Sequence, residues 1–300
     1  LWDFASLARL PRDLRVSLGP IVAWALESPI VAHRAYHRID KIAQEVQHLF
    51  AFRGTRALLG PRGESMHDLY WPEARRAVDS GPPWGDRDFL VAVVSNKNSS
   101  WAAGQLSLRS PKRALRMLAA ASLSRTYSVT RRWHVADLYK RRLDAIIHFA
   151  GTAGFDLYGV GWDRPPRSRR VAAPSVAAAY RGAVEDKAAI LSRYRFALCY
   201  ENTSFPGYIT EKIFDCIFAG TIPVYLGAPD VHELIPPGVF VDARKFASAA
   251  ELEAHLRSLG PGEGERYLSA AADFIGSDSF SRFRSDRFVD QVVSCFAGRR

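Results

Sequence analysis

The chain has 300 residues, 48% hydrophobic and 24% charged, an ordinary globular composition with enough apolar mass for a sizeable core divided over two domains. Its three cysteines, Cys199, Cys216 and Cys295, are odd in number and share no metal-ligand spacing, which argues against a disulfide framework and for reduced, buried thiols. No run of eighteen apolar residues occurs, and the nearest candidate for a membrane span, "GPIVAWALESPIVA", is interrupted by Glu27 and Pro29. The net charge of +10 is concentrated: residues 101–170 hold fourteen Lys and Arg against four Asp, which accounts for the whole surplus. Such a segment favours an anionic partner, with a solvated helical surface as the plain alternative.

Residues 1–87 read as mixed α/β. "GPIVAWAL" is strand-like and stops at "ESP", because a residue before proline is pushed out of helical geometry. In "AYHRIDKIAQEVQHLF", apolar Ile39, Ile42, Val46, Leu49 and Phe50 follow helical spacing. "DSGPPWGDRD" is dense in turn formers and is the expected linker. "FLVAVVSN" then reads as a buried parallel strand, and residues 97–135 as a basic, alanine-rich insertion. "LYKRRLDAIIHFAG" is helical and stops at Gly151, "FDLYGVGW" is a strand, and "RPPRSRR" a basic loop.

The alternation sharpens in the last third. "EDKAAILSRY" is a helix, "RFALCY" a strand, "ITEKIFDCIFAG" a helix and "TIPVYLG" a strand, with the final helix near Asp286–Phe296. Strand–helix–strand units with short connections imply a parallel, doubly wound sheet. Ligands in such sheets bind beyond the carboxyl ends of the strands, where the polar cluster Glu201, Asn202, Thr203 and Ser204 stands. The next helix opens near Thr210, an expected N-cap, with Glu211 and Lys212 in its first turn. Glu211 suits the positive helix end; Lys212 opposes it by a few tenths of a kcal/mol and makes sense if an anion shares the site. A solvated surface lysine is the plain alternative.

The ungapped stretch "YRFALCYENTSFPGYITEKIFDCIFAGTIPVYLGAP" resembles the donor-site signature of the α-1,3/α-1,4-fucosyltransferases, glycosyltransferase family 10. The resemblance implies a GT-B-like α/β fold, two Rossmann-like domains facing across a cleft. An acceptor-side domain over 1–87, incomplete or minimal in this chain, would face a GDP-fucose-binding domain over 88–300. It makes Asn202, Tyr208, Glu211 and Lys212 donor contacts, with Lys212 neutralising the diphosphate and Glu211 accepting from sugar or ribose hydroxyls. "VVSN" is similar to the family's strand end and adds Ser95 and Asn96. Counting back from "FDLYG" puts Arg142 in the register of the family's diphosphate-binding arginine, with Arg141 as rival. "WALESP" resembles the family's catalytic "ESP" and nominates Glu27 as the base, and "VQHLFAFRG" is similar to that domain's next strand.

The activity so implied is inverting transfer of L-fucose from GDP-fucose to a glycan hydroxyl, as an α-1,3 link to GlcNAc or Glc of a surface polysaccharide or glycolipid. Arg142 and Lys212 would do electrostatically what a divalent metal does in other transferases, so no metal or cofactor is expected. The alternatives are a GT-B transferase using another nucleotide sugar, or a non-catalytic protein using the basic segment, with its Trp101, Tyr127, Trp133 and Tyr139, for nucleic acid or acidic lipid. No nucleic-acid partner is expected on the family reading. A bacterial-type enzyme would be cytoplasmic, in peripheral contact with the acidic inner membrane face. An animal-type one would be Golgi-luminal behind an anchor upstream of Leu1.

Overall fold

The computed structural model describes residues 2–3, 22–36, 38–74, 76–96, 135–163 and 174–297. Its first sheet is wholly parallel, in the order β1 (Trp2–Asp3), β2 (Val22–Ala25), β3 (His48–Ala51), β4 (Met66–Asp68). Its second sheet holds β5 (Asp88–Val93), β7 (Phe155–Tyr158), β8 (Tyr194–Tyr200), β10 (Ile222–Leu226) and β11 (Val241–Asp242), also all parallel. Its spatial order is β11-β10-β8-β5-β7, so its first strand in sequence lies between the second and third. The strand order therefore reverses between β5 and β8, which is where such sheets open a ligand crevice at their carboxyl ends.

Both faces of the second sheet are covered, which is why its strands are continuously apolar. Val91, Ala197, Cys199 and Tyr225 face a core shared with Ile213, Phe214 and Ile217 of the helix Glu211–Phe218. Their neighbours Leu90, Ala92, Phe196 and Val224 point the other way, towards Ile146 and Phe149 of the helix Tyr139–Ala150.

Three local expectations are corrected. The helix expected through Phe50 ends at Glu45, Val46 is extended, and Leu49 and Phe50 lie in β3. Adjacent apolar residues satisfy a helical stripe and a doubly covered strand equally well, so spacing could not separate them. The expected linker is pinned in place: Arg87, 5% exposed, donates to the carbonyls of Ser80, Pro82 and Gly220. The final helix, Ser285–Ala297, was grouped with the second domain but packs on the first. Phe288 meets the rings of Trp24 and Phe50 at 5.9 and 5.6 Å, and Val292 joins the first domain's core. The basic insertion expected over 97–135 lies outside the described residues apart from Val135, as do "KRALRMLAAASL" and "RPPRSRR".

The segment after β8 closes the joint between the sheets. Phe205 and Tyr208 are buried in the first domain's core, against Tyr36 and Phe52. The Gly54 N–H donates to the Pro206 carbonyl at 2.9 Å, and the Gly207 N–H to Asp230 Oδ1 at 2.8 Å. Gly207 has φ +75°, and a Cβ there would come within 2.9 Å of the Arg53 backbone nitrogen. Gly207→Ala is therefore expected to destabilise the joint by about 1–2 kcal/mol or more, read as a lower midpoint in urea unfolding.

Candidate active site

A cavity of about 250 Å³ opens at the carboxyl ends of β5 and β8, at the reversal point of the second sheet. Val93, Val94 and Ser95 border it from β5, and Asn202 from just beyond β8. The first domain supplies Leu26 and Glu27, directly after β2, and Trp71, so both sheets present strand ends to one space.

Glu201 organises this floor. Its N–H continues the β8 ladder to the Leu226 carbonyl at 2.7 Å, while its carboxylate is fully buried. Burial of a charge is tolerable only with donors in place of water. Glu201 has three: the Thr210 N–H at 2.8 Å, the Thr210 hydroxyl at 2.8 Å and the Lys212 ammonium at 2.9 Å. Thr210 stands at the N-cap position but spends its hydroxyl on Glu201 rather than on capping. The anion that Lys212 seemed to require is thus already present inside the protein. Burial alone would depress the Lys212 ammonium, but Glu201 and Glu211 outweigh it and raise its pKa. Lys212 also donates to Thr210 Oγ1 at 2.7 Å and, at 3.4 Å, to Glu211 Oε1. Burial raises the Glu211 carboxyl, and Lys212 with its other partners pulls it below its ordinary value.

Arg142 is the second cation. The helix Tyr139–Ala150 turns it inward at 6% exposure, towards the cavity, and leaves Arg141 exposed. Its guanidinium donates to the Tyr200 carbonyl at 3.2 Å and Asn202 Oδ1 at 3.3 Å, and lies 4.7 Å from the Tyr139 ring centroid. Both acceptors are neutral oxygens, so its charge remains available to a bound anion. A short antiparallel pair, β6 (Ala136–Asp137) with β9 (Thr203–Ser204), ties the start of this helix to the loop after β8.

Glu27, Ser95, Arg142, Asn202, Tyr208, Glu211 and Lys212 therefore border one cavity. Ser28, buried beside Glu27, shares a hydrogen bond with Tyr208, whose phenol burial pushes well above its ordinary value. Asn96 is a correction: it is not brought to the cavity. Its side chain donates to the Gly161 carbonyl at 3.0 Å and its N–H to the Val160 carbonyl at 2.9 Å, because successive residues of an extended chain point opposite ways. The triplet Asp86-Arg87-Asp88, an Asp-x-Asp, stands at the other end of β5, where Asp88 faces Arg193 at 3.6 Å.

Residues 140–269 match the family model described as glycosyltransferase family 10 (fucosyltransferase) C-term. That match spans 130 of the chain's 300 residues. Among curated relatives, the chain is 41% identical over 70 residues to an α-(1,4)-fucosyltransferase of Arabidopsis thaliana, and 42% over 76 residues to the α-(1,3)-fucosyltransferase FucT of Helicobacter pylori. These matches cover 23% and 25% of this chain but only 18% and 16% of the relatives' own lengths. In fold, the chain is similar to HepE of Anabaena, solved in complex with UDP-glucose: TM-score 0.57, 12% identity, 93% of this chain and 72% of that one. The fold is GT-B-like, and the segment that matches the family 10 model forms most of its second half.

Sequence reasoning missed Lys187 and Trp71 at the cavity, and the part that Glu201 plays. Lys187 bonds Asp215, twenty-eight positions away, at 2.7 Å, a pairing no local pattern announces. Glu201 did carry a signal: an acid directly after an apolar strand and before a lysine-bearing helix needs a cation.

Two outcomes are expected. Glu201→Gln leaves Lys212 without its buried partner and should cost about 1–3 kcal/mol in urea unfolding at neutral pH. Glu73, 4% exposed beside the cavity residue Trp71, is raised from 4.5 to about 7, first by burial and then by Asp215. The folded chain then keeps a proton that the unfolded chain has released, so stability falls as pH rises from 4.5 to about 7. Glu73→Gln should accordingly gain up to about 3 kcal/mol over the parent at pH 8, and little at pH 4, in parallel denaturation curves.

Proposed function

We propose that this protein transfers L-fucose from GDP-fucose to a glycan hydroxyl with inversion at the anomeric carbon. The observation that carries the reading is the meeting of Glu27, from the first domain, with Arg142 and Lys212, from the second, around one cavity. Sugar transfer needs a base, charge stabilisation of the departing diphosphate, and alignment. Glu27 takes the proton of the acceptor hydroxyl as its oxygen bonds to the anomeric carbon. The bond from that carbon to the phosphate oxygen breaks on the opposite face, and its electron pair leaves with GDP. A β-linked donor thereby yields an α-linked product.

Arg142 offers its guanidinium to the diphosphate without surrendering a carboxylate. The three donors of Lys212 are engaged, and its longest contact, to the 39% exposed Glu211 side chain, is the one an incoming phosphate oxygen replaces. Glu211 is then released to accept from sugar or ribose hydroxyls, while Glu201 keeps the ammonium in place. Two fixed cations supply the stabilisation, so the reaction requires no metal. Ser95, Asn202 and Tyr208 border the donor. The names of the relatives support an α-1,3 or α-1,4 linkage; the acceptor in this proposal is a GlcNAc or Glc of a polysaccharide or glycolipid. The positive charge of residues 101–170 supports peripheral contact with an acidic membrane.

Hydrolysis of a panel of sugar nucleotides tests the donor, with GDP-fucose expected to be turned over fastest; preference for a UDP-sugar would overturn it. Glu27→Gln should bind GDP as the parent does and lose about 10²–10⁴-fold in transfer rate, and near-normal transfer would remove Glu27 as the base. Lys212→Ala should weaken GDP binding by at least about tenfold, measured by calorimetry.

A further inference from the structure

Away from the cavity, a second group of side chains converges on the first sheet. His48 opens β3, and His67 lies in β4 opposite Phe50. Residues two apart on a strand share a face, so His48, Phe50 and His67 stand on one side of the sheet. That side is covered by the final helix, whose Phe288, Val292 and Cys295 recur at helical spacing along one stripe. Phe50 meets Phe288 edge-on and stacks on His67 at 4.6 Å. The thiol of Cys295 is thereby delivered to the two imidazoles. His48 Nδ1 and His67 Nε2 are 3.0 Å apart, and one ligand atom from each of the three residues lies within 4.8 Å of the others.

We propose that His48, His67 and Cys295 form a zinc site that fastens the C-terminal helix to the first sheet. Two imidazoles and a thiolate are a donor set suited to Zn²⁺, and three protein ligands leave the fourth tetrahedral position to water. Bond lengths of about 2.0 Å to nitrogen and 2.3 Å to sulfur place tetrahedral ligand atoms about 3.3–3.6 Å apart. The imidazole nitrogens need only separate by a few tenths of an ångström, and the thiol needs a short approach. Cys295 donates to the Gln291 carbonyl at 3.2 Å and must exchange that bond and its proton for the metal. All three residues are partly exposed, so an ion can reach them, and none borders the cavity.

The placement gives the site a consequence. The final helix follows the second domain in sequence yet packs on the first, so a metal joining it to β3 and β4 braces the two halves against each other. The test is titration of Co²⁺ and Zn²⁺ into the chelator-treated full chain. One equivalent of Co²⁺ should bind with a thiolate-to-cobalt charge-transfer band, and Zn²⁺ should displace it and raise the unfolding temperature by several degrees. Cys295→Ser should abolish the band and the thermal shift, and His67→Ala should weaken binding at least tenfold, while both variants without metal give the parent's circular dichroism spectrum. Should Cys295→Ser fail to fold, His48→Gln provides the same reading. Absence of one-equivalent binding, or binding that survives in Cys295→Ser with the same spectrum, would overturn the proposal.

Discussion

A carboxylate with no exposure to water persists in a protein only where donors and cations replace the solvent, and the buried Glu201 sets that condition for this fold. Meeting it fixes the Thr210 backbone, the Thr210 hydroxyl and the Lys212 ammonium in one arrangement. The helix Glu211–Phe218 must then start where Thr210 is held, and its first turn must point Lys212 back towards the end of β8. A lysine that opposes the helix dipole is tolerated because an internal anion compensates it. The cation is in place before any ligand arrives, which is the preorganisation that charge stabilisation in a cavity depends on.

The same short segment also joins the two domains. Within a few residues of Glu201 the chain pairs with Ala136 and Asp137, accepts from Arg142 through Asn202, and buries Phe205 and Tyr208 in the first domain's core. The polar residues face the cavity and the apolar ones grip the opposite sheet, so the floor of the site and the joint are one construction. Phe205 and Tyr208, packed in the first domain's core, thus lie within eleven residues of Lys212 on the same segment. A buried Tyr208–Ser28 hydrogen bond beside Glu27 is one link across that joint.

Much of this was legible in the residues. The strand–helix–strand alternation predicted a doubly wound sheet, and its reversal point lies where the polar cluster follows β8. Counting back from the strand after it put Arg142 in register with Arg141 as its rival, and the helix turns only Arg142 inward. Other features were hidden for identifiable reasons. Leu49 and Phe50 satisfy two periodicities at once, and Asn96 loses its place to the alternation of an extended chain. Lys187 finds Asp215 twenty-eight positions away, and the final helix returns to a domain from which the sequence separates it by nearly two hundred positions. Contacts of that range are set by packing and leave no local pattern.

On the proposed function, Arg142 and a Glu201-anchored Lys212 form the seat of a nucleotide diphosphate. A crystal structure of the chain with GDP tests it most directly. Diphosphate oxygens are expected within about 2.7–3.2 Å of both the Arg142 guanidinium and the Lys212 ammonium, with the Lys212–Glu201 bond intact and Glu211 released. A diphosphate seated elsewhere, or one that draws Lys212 away from Glu201, would contradict it.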